Sequence, residues 1–305
     1  MRLLVILIWL VSAIQQVADP LPFPQLEIEA PPTLAAQRTR LESFDPARLR
    51  AVMRLVGLDD PGPAIRVVLA SESSEWARQI PPSTVGFAVG AAGVVVLFPS
   101  RAPVYPHDTL EDVLHHEIAH VLMTRAAGGH PLPRWFHEGL AMAAERNWRL
   151  EDQVRLFGEL TAVPRTDLDA INALFAQNDA ARTRAYTLAG AFVRDLLRYH
   201  GSSAPGKVLA RVAEGTSFER AFAEVIDQTL DDAEAAFWHR HRFWTTWVPF
   251  LTTQTALWMV VTLLALYAIH RRRRQRAALR ERWAEEAVEY GPGANHGWHD
   301  DDAVR

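Results

Sequence analysis

The chain has 305 residues, 49% of them hydrophobic and 22% charged, a composition that supports a buried core and excludes a disordered polymer. A net charge of −4 argues against a nucleic-acid partner. The absence of cysteine excludes zinc ribbons and other thiolate centres, so any metal site must be built from His, Asp and Glu.

The chain opens with MRLLVILIWLVSA, in which Arg2 precedes an uninterrupted apolar run over residues 3–11. This pattern reads as an export signal over residues 1–18. Ala13 and Ala18 each close an imperfect cleavage site, which leaves a cleaved signal and a retained N-terminal anchor both open. Residues 19–59 read as a proline-rich segment and a helical lead-in, helical over 33–55 with a break at Pro46 and a stop at Gly57. The β-branched run AIRVVLA, residues 64–70, predicts a strand. Two apolar runs around GAAG predict a hairpin within residues 86–100, its second strand over 94–98.

A helix is expected from residue 109 to about 126, capped by Asp108 with Glu111 three residues on, and ended by Gly128 and Gly129. Beyond Pro133 the pattern predicts helices over 135–148, 150–160, 167–177, 181–200, 204–214, 217–227 and 230–244. Residues 250–269 carry no charge and would cover roughly 30 Å as a helix, the thickness of a bilayer core. Trp244 and Trp247 precede this run, and four arginines at 271–274 follow it. Residues 248–269 are therefore expected to cross a membrane, with 270–305 as a basic, cytoplasmic, disordered tail. In a bacterium this implies a single-pass plasma-membrane protein whose main domain lies in the periplasm or outside the cell.

The chemistry-bearing stretch is LHHEIAHVLM, residues 114–123. On a helix His116 and His120 lie one turn apart on one face, the geometry by which two imidazoles reach one tetrahedral ion. Glu117 is rotated by about 100° from His116, so it stands beside a metal and is placed to take a proton. Such a five-residue pattern recurs by chance in a chain with 12 histidines, so context decides its weight. The segment PLPRWFHEGLAMAAE supplies the context: Glu138 is a candidate third ligand, and Gly139 and Ala141 beside it permit two helices to approach closely. Two histidines and one glutamate leave an open coordination position, as catalysis requires. His115 reads as a flanking residue, and His130 and His137 as surface or site-lining groups. Glu145, two turns after Glu138, either orients a ligand histidine or is solvated.

HHEIAHVLM followed by PRWFHEGLAMAAE resembles the peptidase MA-like group of gluzincin metallopeptidases, whose pattern is HExxH and then Trp-x-x-Glu-Gly-x-Ala. The likeness covers about residues 60–245 and is specific in these two motifs. It implies His116, His120 and Glu138 as ligands of one Zn2+ and Glu117 as general base, with Trp135, Gly139 and Ala141 framing the glutamate. YTLAGAFVRDLLRYHG, residues 186–201, is similar to a later tyrosine-led helix of the group and makes Tyr186 a catalytic candidate, a hydrogen-bond donor to a developing oxyanion. No metzincin spacing follows, since Met123 and Ala126 stand where that class has glycine and histidine.

The expected fold is α+β: a zincin-like domain over 60–245 with a small N-terminal sheet and hairpin, an active-site helix and a C-terminal helical bundle, followed by one transmembrane helix. The expected function is that of a membrane-anchored extracytoplasmic zinc peptidase, hydrolysing peptide or protein substrates by a metal-activated water with Glu117 as base. The strand at 94–98 is the candidate for pairing with an extended substrate. The alternative is a zinc-holding, non-catalytic peptide-binding or assembly factor on the same fold. Against it stands Glu117, an acid for which a pure binding module has no chemical need.

Overall fold

A computed structural model describes residues 22–101, 103, 105–145, 148–162, 165–251 and 254–289. The leader at 1–18 and the tail beyond residue 289 lie outside the described residues. The chain divides into two compact units, Met1–Arg242 and Phe243–Arg305.

In chain order the elements are β1 (Leu26–Glu29), α1 (Ala35–Glu42), α2 (Leu49–Val56), β2 (Ile65–Leu69), α3 (Glu75–Gln79), β3 (Gly86–Val89), β4 (Val94–Leu97), α4 (Leu110–Ala126), α5 (Arg134–Glu145), α6 (Leu150–Ala162), α7 (Leu168–Leu174), α8 (Asp179–His200), α9 (Ala204–Ala213), α10 (Phe218–Ile226), α11 (Leu230–Leu251) and α12 (Gln254–Glu289). The strands form one sheet in the order β1-β2-β4-β3. β1 and β4 both run parallel to β2, and only β3–β4 is antiparallel, with Gly86 opposite Leu97. The proline-rich segment thus contributes an edge strand, β1. Alternation along β2 sends Ile65, Val67 and Leu69 into the main core. On the other face, Val96 and Phe98 pack with Ala77, Ile80 and Phe87.

α4 lies against that sheet and is also packed by α2, α5 and α9. Burial on every side explains its composition, since residues all round it are apolar or site-forming: Leu114, Ile118, Val121 and Leu122 are fully buried, and so is His116. The helix starts one residue later than the sequence suggests. Thr109, not Asp108, is the cap, and Thr109 and Asp112 bond each other's backbone N–H in a reciprocal box. Gly128 and Gly129, both at positive φ, turn the chain back into α5. The Trp135 backbone N–H donates to Asn172 Oδ1 at 2.8 Å, and its indole packs edge-on against Phe136, Phe192 and Phe218. α5 then rests on α8 at very short range. A Cβ at Gly139 would stand 2.5 Å from the Ala189 carbonyl oxygen and 2.7 Å from Val193 Cγ2.

Two expectations are corrected. The fold is mostly helical, 66%, with a small four-stranded mixed sheet, where an α+β fold ending in a transmembrane helix was expected. No helix among the described residues is long and apolar enough to cross a membrane. α12 runs without a break from Gln254 past Ile269 through the arginines at 271–274, so its apolar residues share one helix with a charged cluster. The single-pass topology and the plasma-membrane placement drawn from it fall with the span. The side chains of Trp244 and Trp247 are outside the description.

The α5–α8 contact makes a prediction about Gly139. Replacing glycine by alanine inside a helix gains up to about 1 kcal/mol of propensity. Here the new methyl meets a backbone carbonyl that cannot swing away, and overpacking costs about 1–3 kcal/mol. Gly139→Ala is expected to lower the unfolding free energy in a urea titration, and Gly139→Val to lower it further. A gain in stability for Gly139→Ala would contradict the close approach.

Candidate metal centre

Two helices supply the centre. α4 presents His116 and His120 one turn apart, with their rings perpendicular and centroids separated by 4.6 Å. α5, turned back by the glycine pair, brings Glu138 against them. One oxygen, Glu138 Oε2, lies 3.2 Å from His116 Nε2 and 3.4 Å from His120 Nε2. The three groups are buried, and their ligand atoms lie within 4.8 Å of one another. Nitrogen and oxygen ligands held at about 2.05 Å in a tetrahedron are separated by roughly 3.3 Å. The two measured separations match that edge, so the donor set fits a small divalent cation in both chemistry and spacing.

Electrostatics binds the set together. Burial disfavours the His116 cation, but the hydrogen bonds to Glu138 and Glu145 and the charges of Glu138 and Glu117 win, raising its pKa to about 10. Burial would likewise raise the pKa of Glu138, yet His120 and His116 beside it hold its carboxyl well below the ordinary range. His137 stacks on His120 at 4.2 Å, and burial followed by the charge of His120 lowers it to about 3, so it remains neutral.

Glu117 is buried and lines a cavity of about 490 Å3 together with His116, His120 and Glu138. Gly86 on β3 lets the strand lie against this helix: a Cβ there would meet Leu97 Cδ2 and Val113 Cγ1 at 2.8 Å and Glu117 Cγ at 3.3 Å. Tyr186, on the second turn of α8, joins the cavity with its ring 6.3 Å from that of His116. Burial, then the charges of Glu138 and Glu117, push its phenol well above its usual value, which keeps it a neutral donor. The cavity is walled on one side by β3, through Gly86, Phe87 and Ala88. The strand expected to meet a substrate, β4, is interior, between β2 and β3. β3 is the edge.

The structure thus brings together all five residues singled out: His116, Glu117, His120, Glu138 and Tyr186. Of the two readings of Glu145, the solvated one is excluded, since it is buried with Oε2 3.4 Å from His116 Nδ1. His115 faces away, its ring 6.3 Å from Phe44, with burial lowering its pKa to about 4. His130 is exposed. Sequence reasoning missed His107, whose Nδ1 lies 3.2 Å from the same Glu145 oxygen and whose ring meets His116 edge-on at 4.5 Å. No spacing rule reaches it, because His107 stands in a loop and its carboxylate partner is on α5. Arg134 and Arg182 were also missed as cavity residues. No family model and no curated protein matches the chain, so the reading of this centre stands on its geometry and chemistry.

Proposed function

We propose that the chain is a zinc-dependent peptidase. The observation that carries this reading is the convergence of two imidazole nitrogens on one buried carboxylate oxygen at 3.2 and 3.4 Å, with an unligated glutamate, Glu117, at the wall of the same cavity. His116, His120 and Glu138 hold the ion, and a His/His/carboxylate set favours zinc. When bound, the metal supplies Lewis acidity towards a carbonyl oxygen and makes nearby water more acidic. Glu117 accepts the proton of the attacking water as the new C–O bond forms. It then passes that proton to the amine nitrogen as the C–N bond breaks. Tyr186, kept neutral by its surroundings, donates a hydrogen bond to the oxygen on which charge develops. An extended chain laid along the β3 edge brings its backbone past this point, with ladder hydrogen bonds fixing its direction. Glu145 orients His116 by accepting from Nδ1, which leaves Nε2 for the ion.

Three results are expected. Glu117→Gln retains metal at the level of the parent protein and loses peptide hydrolysis by roughly 10²–10⁴-fold, whereas Glu138→Ala loses the metal itself. Metal content by mass spectrometry and turnover of an unstructured protein substrate check both. Undiminished hydrolysis in Glu117→Gln would overturn the assignment, and metal and peptide binding without hydrolysis in the parent would favour a binding protein.

Glu145→Gln is expected to weaken metal affinity by about 10–100-fold with the fold retained, as competition with a chromophoric chelator would show. Unchanged affinity would mean that the carboxylate does not steer His116.

Metal uptake should also release a proton. The raised value of about 10, against an ordinary 6.5, keeps His116 protonated in the metal-free protein at pH 8. A ligand imidazole must be neutral, so binding displaces about one proton across that pH interval. Calorimetry at pH 8 in buffers of different ionisation enthalpy measures it, and zero release would contradict a protonated His116 in the metal-free protein.

A further inference from the structure

α5 and α8 each carry a basic residue one turn before a site residue. Arg134 precedes Glu138 by four positions on α5, and Arg182 precedes Tyr186 by four on α8. At that spacing each arginine shares a helix face with its partner, and both line the cavity. Phe175 lies between the two elements. The Arg134 guanidinium sits 4.9 Å from its ring centroid, and the ring meets Tyr186 edge-on at 5.2 Å. The positive charges of both arginines act on Tyr186, against those of the carboxylates below it.

Neither guanidinium is committed to a strong partner. Arg134 is half exposed and stands 3.6 Å from Glu138 Oε1, on a carboxylate that the metal reading assigns to the ion. Arg182 pairs with Asp179, whose side chain is 81% exposed. In each pair one partner is solvent-exposed, Arg134 in the first and Asp179 in the second, so each contact is screened on that side. Two planar, always-charged forks therefore line the cavity wall, that of Arg134 within 3.6 Å of the Glu138 carboxylate. An extended peptide advances about 3.3–3.6 Å per residue, so a group one or two residues from the reacting carbonyl reaches them. Thr183 on the same wall adds a hydroxyl, and Asp179 beside Arg182 and Glu138 beside Arg134 are the acids that compete there.

We propose that Arg134 and Arg182 form a carboxylate-recognising subsite, and that the preferred substrates are peptides carrying a carboxylate one or two residues from the cleaved bond. The peptide bond in this statement rests on the peptidase reading above. The carboxylate is supplied by an Asp or Glu side chain or by the chain terminus, and both present the same planar pair of acceptors to a guanidinium.

The test measures binding in the full-length Glu117→Gln protein loaded with zinc. Four fluorescent peptides share one neutral sequence and differ in two ways: Gln or Glu at one internal position, and an amide or a free acid at the C-terminus. At least one carboxylate-bearing peptide is expected to bind about tenfold more tightly than the uncharged one, a preference that shrinks with added salt. It should fall towards unity in Arg182→Gln and in Arg134→Gln, both checked for retained zinc. Preference for internal Glu in the amidated pair identifies the side chain as the source, and preference for the free acid identifies the terminus. Equal affinity for all four peptides, or a preference that survives both arginine substitutions, overturns the subsite. Hydrolysis of the same peptides by the parent separates the two claims. Preferential binding with no cleavage sinks the peptidase reading and leaves the subsite standing, whereas cleavage without charge preference does the reverse.

Discussion

Glu138 places one carboxylate oxygen 3.2 Å from His116 Nε2 and 3.4 Å from His120 Nε2, in a helix pair buried among apolar side chains. Alone at this depth, a carboxylate or an imidazolium would cost several kcal/mol, and removing one partner of such a set strands the others. Together they tolerate burial because each meets an opposite charge, and a divalent cation would satisfy all three at once. The demand propagates outward. α4 is buried along most of its length, which is compatible with His116, Glu117 and His120 only if α5 comes close enough to deliver Glu138. That approach needs the turn at Gly128 and Gly129, and α5 is in turn held by α8, whose Ala189 carbonyl leaves room for no side chain at residue 139.

The same tight stack shapes the cavity. β3 lies against α4 because residue 86 has no side chain, and it is the last strand of the sheet. An edge strand beside Glu117, with Tyr186 across the cavity, leaves that side of the sheet open to a chain that would pair with it. A substitution at Gly86 would act on Glu117 through a contact of 3.3 Å without touching any ligand of the ion.

The parts of this arrangement written at short range were legible in the sequence. The spacing of His116, Glu117 and His120 fixes their relation on any helix, and Glu138 follows from one turn and a glycine. Tyr186 was reached only through a family resemblance, because no local rule ties residue 186 to residue 116. The long-range parts were not legible. The order of the sheet depends on parallel pairing of β1 with β2 and of β2 with β4, which alternation within a strand does not encode, so the edge was assigned to β4 instead of β3. The cap moved from Asp108 to Thr109 because the hydroxyl can bond the backbone of Asp112 while Asp112 bonds back. The membrane span failed for another reason. Hydropathy summed over 250–269 stops at the last uncharged residue, whereas α12 carries on past Ile269 into His270 and the arginines at 271–274, and no helix among the described residues is long and apolar enough to cross a membrane.

Glu145 shows how one buried carboxylate can set the state of two imidazoles. Burial works against its charge, but hydrogen bonds to His107 and His116 hold its pKa at about 2, so it is an acceptor at any physiological pH. Its Oε2 faces Nδ1 of both rings, at 3.2 Å from His107 and 3.4 Å from His116. For His116 an acceptor at that position favours the proton on Nδ1. For His116 this frees Nε2 towards Glu138, and the preference holds whether Nε2 carries a proton or faces a cation, because the two nitrogens are used independently. His107 lines the same cavity. The loop before α4 is thereby tied through one carboxylate to the orientation of His116.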